Sequence, residues 1–295
     1  MAMRVSLFAT CLCDQFYAEA CADAVLLLRH LGVDVDVPRG QTCCGQPAYN
    51  AGRPTEARDM AAHTMHVFED AEYVGLPSGS CAGMIRCFYG EISGVDTERA
   101  ESLARRTYEL SQFLRQVLNV ETLGPGLEGR RVAYHHGCHA LRELGVKDEP
   151  LALLAGCGAE VVEWEADEEC CGFGGLFSAK LPEVSAAMAD RKLDTLPDVD
   201  FVTSSDGGCL LQLSGRAKKR RTGPPFVHLA SALWRGVARW ASRDPGITGR
   251  RQRRRFATSR RCARRLLRLR ARSTRTVFTP GGRSMRTGGA TGLEM

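Results

Sequence analysis

Arg4–Thr10 (RVSLFAT) runs directly into Cys11, and Arg131–Gly137 (RVAYHHG) runs directly into Cys138, 127 positions later. Each is a short segment with an apolar start that halts at a cysteine, which is how a buried strand ends in a loop. Working outward, the same offset carries Cys43-Cys44-Gly45 onto Cys170-Cys171-Gly172, and one inserted residue then carries Cys81 onto Cys209. Thirty-one residues separate Cys11 from Cys43 and Cys138 from Cys170; 36 separate Cys44 from Cys81, and 37 separate Cys171 from Cys209. Four cysteines in register twice mark an internal repeat, the signature of duplicated structural units.

The flanking segments repeat too. Val33–Val37 and Ala159–Trp164 are β-rich runs before each Cys-Cys-Gly, and Tyr73–Leu76 and Asp200–Thr203 are apolar runs before Cys81 and Cys209. Helical periodicity fills Asp14–Leu31, Thr55–Phe68, Thr97–Leu118, Pro182–Leu193 and Phe226–Trp240, with Gly32 placed to end the first and Pro182 to begin the fourth. Strand–helix alternation of this kind predicts an α/β fold: two tandem, pseudo-repeated α/β modules with parallel sheets, plus a disordered basic C-terminal tail. The expected boundaries are 1–122 and 130–241 for the modules, the Gly- and Pro-containing Leu123–Gly129 as linker, and 242–295 for the tail. In parallel sheets ligands gather beyond the carboxyl ends of strands, and all eight repeat cysteines fall there.

The net charge of +6 conceals a division. Residues 242–295 hold 16 Arg, no Lys and two acids, or +14, whereas residues 1–241 hold 24 basic and 32 acidic residues, or −8. Basicity is confined to the tail, so no nucleic-acid partner is expected for the acidic body. No apolar run is long enough to span a membrane, and the N-terminus lacks a signal-peptide pattern, so the expected location is cytoplasmic. In a reducing compartment 13 cysteines do not form a disulfide framework, and adjacent pairs bridge only with strain.

Soft thiolates suit a soft metal centre. An iron–sulfur cluster needs several thiolates converging on a small space; adjacent cysteines can reach different irons, and a following glycine lets the backbone fold tightly around the inorganic core. Two other readings use the same residues. A structural zinc site would also take four cysteines, although such sites usually present spaced Cys-x2–4-Cys pairs, and a thiol–disulfide enzyme would use the vicinal thiols without metal. Cys13, Cys21, Cys87, Cys157 and Cys262 have no counterpart at the repeat offset and are expected in the core or the tail. His135, His136 and His139 flank Cys138 and could serve as ligands or in proton transfer. Gly172-Phe173-Gly174-Gly175 reads as a tight turn, and the acidic run Glu165, Asp167, Glu168, Glu169 as a solvated loop.

The spaced Cys-Cys-Gly pattern resembles the cysteine-rich, or CCG, domain family, which includes a heterodisulfide reductase subunit and the iron–sulfur subunits of glycolate and glycerol-3-phosphate dehydrogenases. Gly40–Ala48 (GQTCCGQPA), Pro77–Cys81 (PSGSC) and Glu169–Gly175 (ECCGFGG) are most similar to the lactate-utilising branch of that family. The resemblance covers about residues 4–240. It implies an iron–sulfur, electron-transfer component of a multi-protein system that oxidises L-lactate to pyruvate, an oxidoreductase subunit acting beside partner proteins that include a ferredoxin-like iron–sulfur protein. It implies Cys11, Cys43, Cys44 and Cys81 as ligands in one module, and Cys138, Cys170, Cys171 and Cys209 in the other. The heterodisulfide reductase branch ends its motif Cys-x-x-Cys, whereas the first of those positions is Ser78 in one module and Asp206 in the other. Four thiolates per module suit one [4Fe–4S] cluster each, with Ser78 and Asp206 able to supply weak oxygen ligands.

Overall fold

The computed structural model describes residues 3–243. From residue 244 onward the expected tail lies outside the described residues. In the first half, β1 (Arg4–Leu7) leads into α1 (Cys11–Phe16) and α2 (Ala18–His30). Then follow β2 (Asp34–Asp36), α3 (Gln46–Asn50), α4 (Pro54–Val67), β3 (Tyr73–Leu76), α5 (Gly79–Gly83), α6 (Thr97–Arg105), β4 (Thr107–Glu109) and α7 (Leu110–Gln112). The second half runs β5 (Arg131–Tyr134), α8 (Cys138–Arg142), α9 (Asp148–Gly156), β6 (Glu160–Val161), α10 (Leu176–Lys180), α11 (Pro182–Asp194), β7 (Phe201–Ser204), α12 (Gly207–Arg220), β8 (Phe226–His228) and α13 (Leu229–Arg243).

Two four-stranded, wholly parallel sheets result, ordered β2-β1-β3-β4 and β6-β5-β7-β8. Their registers correspond: Val5 pairs with Tyr73 as Val132 pairs with Phe201, and Leu76 with Glu109 as Ser204 with His228. In each sheet the chain leaves its first strand to one side and returns on the other. A crevice therefore opens beyond the carboxyl ends of the two central strands, where parallel sheets bind ligands. The cysteine-bearing segments leave the sheets there.

Two expected helices begin or break at a strand. Thr97–Leu118 is interrupted by β4, and Phe226–Trp240 starts with β8. Both strands have three residues, too few to disturb the helical periodicity of the apolar residues around them. Asp14–Leu31 divides at Tyr17 into α1 and α2.

The halves interlock. α13 of the second half packs on α2 of the first, and α7 of the first packs on α9 of the second. One apolar cluster joins Leu27 and Leu28 to Leu233 and Trp234, and Phe113 and Leu114 to Leu153 and Leu154. Each fully buried aliphatic side chain of this kind contributes about 1.5–3 kcal/mol. Gly126 and Gly236 make the approach feasible, since a Cβ at Gly126 would strike the Gly236 carbonyl. Among the described residues no helix is long and apolar enough to cross a membrane.

Candidate metal centres

The first site is assembled from three strand ends. Cys11 opens α1 just past β1, Cys43 and Cys44 follow β2, and Cys81 sits in the first turn of α5 past β3. Their sulfurs converge: Cys11 Sγ lies 3.6 Å from Cys43 Sγ, and Cys44 Sγ lies 3.4 Å from Cys81 Sγ. Cys44 and Cys81 are buried and Cys11 and Cys43 half-buried, so the tetrad has an inner and an outer pair. The second site repeats this construction. Cys138 interacts with Cys170, and Cys171 with both Cys170 and Cys209, with Cys171 and Cys209 as the buried pair.

Both turns need their glycine. Gly45 has φ +87° and Gly172 φ +81°, a region costly for any residue with a Cβ. A Cβ at Gly45 would lie 3.2 Å from Met60 Cβ; at Gly172 it would lie 2.5 Å from the Ser185 carbonyl oxygen. Tight passage beside α4 and α11 thus places each cysteine pair. In the second site the Gly172 and Phe173 amides point at the Cys170 and Cys171 sulfurs, 3.4 and 3.5 Å away. Gly174 and Gly175 also take positive φ, as a tight turn requires.

Crowding splits the thiols. Neighbouring Cys11 and Cys44 hold Cys43 down to about 3, and Cys138 and Cys171 hold Cys170 down to about 2. Cys11, Cys44, Cys138 and Cys171 are driven upward by the same sulfur contacts together with burial. A set that resists full deprotonation on its own is one a cation would stabilise, releasing the protons as it binds.

One cavity of about 200 Å³ is lined by all eight cysteines, so the two sites open on a common space. Ser78 and Asp206, which occupy the same position in the two halves, meet across the seam. Ser78 Oγ donates to Asp206 Oδ1 at 3.1 Å, the Ser80 amide donates to the same oxygen at 2.9 Å, and Ser78 Oγ accepts from the Cys81 amide at 3.4 Å. Asp206 Oδ2 is buried with no protein partner.

The three histidines diverge. His135 is fully buried; its Nδ1 lies 3.2 Å from the Asp167 carbonyl oxygen, and its Nε2 has no partner. Burial, with the Lys192 charge adding to it, lowers its pKa to about 3. One His135 ring nitrogen and the sulfurs of Cys171 and Cys209 lie within 4.8 Å of one another. His136 is buried against the Tyr134 ring and lies 3.8 Å from an Asp167 carboxylate oxygen. His139 lines the cavity, its Nδ1 3.4 Å from a Glu143 carboxylate oxygen. Within the acidic run, Glu168 and Glu169 reach Lys147 and Arg191, whereas Asp167 turns its carbonyl inward to His135. Cys13, Cys21 and Cys157 are buried in the core and Cys87 half-buried, whereas Cys262 lies outside the described residues.

Three buried polar residues near the sites escaped the sequence reading. Lys192 is wholly buried, donating to the Ala166 and Asp167 carbonyls and lying 4.5 Å from the centroid of the Trp164 ring. Glu109 ends β4, and its Oε2 accepts from the Ser111 hydroxyl, the Ser111 amide (2.7 Å) and the Gln112 amide (3.2 Å). Burial lifts its pKa to about 7, opposed by those hydrogen bonds and aided by the Asp206 charge. His228 ends β8 at the corresponding register and reaches the Pro77 carbonyl at 3.0 Å across the seam. The equivalence of Glu109 and His228 could have been found only by detecting the short outer strands.

Paired thiol tetrads at the switch points of two like sheets define a duplicated cysteine-rich domain protein. The family model described as "Cysteine-rich domain" (CCG) matches twice, over residues 5–86 and 132–214. Lactate utilization protein A of Geobacillus sp. (strain WCH70) is 44% identical over 237 residues, 78% of this chain and 99% of that protein. Its namesake from Geobacillus kaustophilus (strain HTA426) is 47% identical over 239 residues, 78% and 98% of the two chains. The chain belongs to the lactate utilization protein A family. A hypothetical protein from Helicobacter pylori shares the fold, with TM-score 0.58 and 12% identity over 79% of this chain and 49% of that one, so this chain spans about half its length.

Proposed function

We propose that this chain is the iron–sulfur, electron-transfer component of a multi-protein system that oxidises L-lactate to pyruvate. The observation that carries the reading is the convergence of two sets of four cysteines on one cavity. The donor set fits the group: eight soft thiolates in two tetrads, each containing an adjacent pair whose following glycine turn holds both sulfurs inward. Spaced Cys-x2–4-Cys pairs, the usual mark of structural zinc, are not used. Each cluster, when bound, accepts and releases electrons one at a time. Cys11, Cys43, Cys44 and Cys81 would hold one [4Fe–4S] cluster, and Cys138, Cys170, Cys171 and Cys209 the other. Ser78 Oγ and Asp206 Oδ1 are engaged with each other, which leaves Asp206 Oδ2 as the oxygen free to act as a weak ligand.

The protein's own work is to hold, insulate and tune. Phe8, Met84, Ile85 and Tyr89 keep water from the inner sulfurs of the first site, and Tyr89 fixes the Cys44 carbonyl at 2.8 Å. The Gly172 and Phe173 amides stabilise negative charge on the second set of sulfurs. Hydride chemistry on lactate falls to a partner, and a ferredoxin-like iron–sulfur protein is the expected electron exchanger. The lactate assignment follows the names of the relatives. A cytoplasmic setting, which keeps thiols reduced, suits a centre held by eight cysteines.

Iron and acid-labile sulfide measured on anaerobically reconstituted protein, with absorbance and EPR, test the reading. Two clusters per chain are expected, and protein holding neither iron nor sulfide would overturn it. Deletion of the gene should abolish growth on lactate and spare growth on glucose.

A further inference from the structure

We propose that His135 binds iron in the second centre through Nε2 in addition to the four cysteines, so that one iron there takes two protein ligands and the two centres of this duplicated protein differ. The inference rests on the iron–sulfur reading above and deepens it.

The imidazole is set for this task by what surrounds its other nitrogen. The Asp167 carbonyl oxygen, 3.2 Å from Nδ1, can only accept, so Nδ1 carries the proton. That carbonyl is fixed in turn by the His136 amide at 3.1 Å and by Lys192 Nζ at 3.3 Å. Nε2 is left with a lone pair in a side chain of zero exposure, and it has no hydrogen-bond partner. Leaving such an acceptor unsatisfied costs about 1–3 kcal/mol. The groups beside the ring are the sulfurs of Cys171 and Cys209, within 4.8 Å. Once these cysteines hold iron they are thiolates with no proton for that lone pair, whereas an iron of the centre they hold would accept it. An imidazole anchored through one N–H to a backbone carbonyl, with its other nitrogen free, is the usual arrangement of a metal-binding histidine.

The first half shows what this position holds when it is not a ligand. Its counterpart at the repeat offset of 127 is Phe8. The match is structural as well: the Phe8 amide donates to the Gly75 carbonyl at 3.0 Å, as the His135 amide donates to the Thr203 carbonyl at 2.8 Å. Phe8 shares an apolar cluster with Cys44 and Cys81 and stacks on Phe68, its ring centroid 5.2 Å away. A hydrocarbon ring and an imidazole thus occupy equivalent places behind the inner sulfurs of the two sites.

Pulsed EPR on the reduced, reconstituted holoprotein tests this after its iron and sulfide have been quantified. A nitrogen coupling of the strength of a directly bound imidazole is expected, changing isotope pattern when the protein is grown on 15N-histidine and absent from His135→Phe. The wild-type labelling measurement stands even if the variant folds poorly. Iron at full content without a histidine coupling, or a coupling that survives in His135→Phe, would overturn this proposal and leave the iron–sulfur reading intact. Protein that holds no iron would overturn both.

Discussion

Laid over one another, the two halves agree in their sulfurs and differ in what stands behind them. The first tetrad is backed by Phe8 and the second by His135 and, in α11, by Lys192, whose sequence counterpart in α4 is Thr64. The pairing of α4 with α11 at an offset of 128 is fixed by their contacts. A Cβ on Gly45 would meet Ala57 and Met60, and one on Gly172 would meet Ser185 and Met188. Along the seam, Ser78 faces Asp206, and the outer strands end in Glu109 on one side and His228 on the other. On the iron–sulfur reading the eight cysteine positions admit no change, because each thiolate would have to reach an iron. The layer behind them needs only to exclude water, and it can take up charge. A cluster's potential depends on neighbouring charge and on hydrogen bonds to sulfur. A buried ammonium behind the second tetrad accordingly predicts the more positive potential for the second centre.

The most drastic way to probe that comparison is to remove one centre at a time. Cys44→Ser and Cys171→Ser each delete an inner sulfur, and each should lower iron and sulfide to about half while preserving the helical circular dichroism, because clusters contribute to folding locally. The shared core sharpens the test. α13 lies on α2 and α7 on α9, so the halves are packed together through apolar side chains rather than through the sulfurs. If either substitution emptied both sites, the centres would be assembled as one unit and the view of two separately filled sites would fall.

Much of this comparison was legible in the sequence, and the remainder was not for definite reasons. Sulfur spacing, strand starts and the glycines after each cysteine pair all lie within local segments and could be read directly. The outer strands could not. Thr107–Glu109 and Phe226–His228 are three-residue strands set against helices, and their strand character comes from pairing with β3 and β7. Missing them hid Glu109 and His228. Lys192 looked like an ordinary polar helix residue, because nothing in Pro182–Leu193 announces that one lysine turns inward over Trp164. His135, His136 and His139 were visible as a group, but only the fold separates the one beside the Cys171 and Cys209 sulfurs from the two that lie near the Asp167 and Glu143 carboxylates.

A smaller effect distinguishes the two strand ends. Glu109 has its pKa raised from an ordinary 4.5 to about 7, chiefly by burial. For an acid whose folded value is raised, the neutral form is the stable one in the fold. Its contribution is fully present below about pH 4.5 and is lost as pH rises toward 7, a span worth about 3 kcal/mol. Glu109→Gln keeps an oxygen to accept from the Ser111 and Gln112 amides and cannot ionise. Thermal unfolding should find the variant close to wild type at pH 5 and clearly more stable at pH 8. Equal midpoints at both values would show that Glu109 is solvated or charge-compensated, and that the first half does not bury a neutral acid where the second buries an imidazole.

The finest distinction is the charge behind the second tetrad. Lys192→Met retains much of the aliphatic volume beside Trp164 and removes the ammonium, making the second half resemble the first, where Thr64 is uncharged. A tenfold step in a one-electron equilibrium is roughly 60 mV, and at an effective dielectric near 20 a nearby unit charge is worth at least about that much. Redox titration should therefore show one midpoint moving negative by about that amount and the other unmoved, with iron content unchanged. A shift in both midpoints would mean that Lys192 acts across the common cavity rather than on its own site. No shift would mean that the ammonium's charge is already compensated by the Ala166 and Asp167 carbonyls. In that case the difference between the centres would have to come from His135.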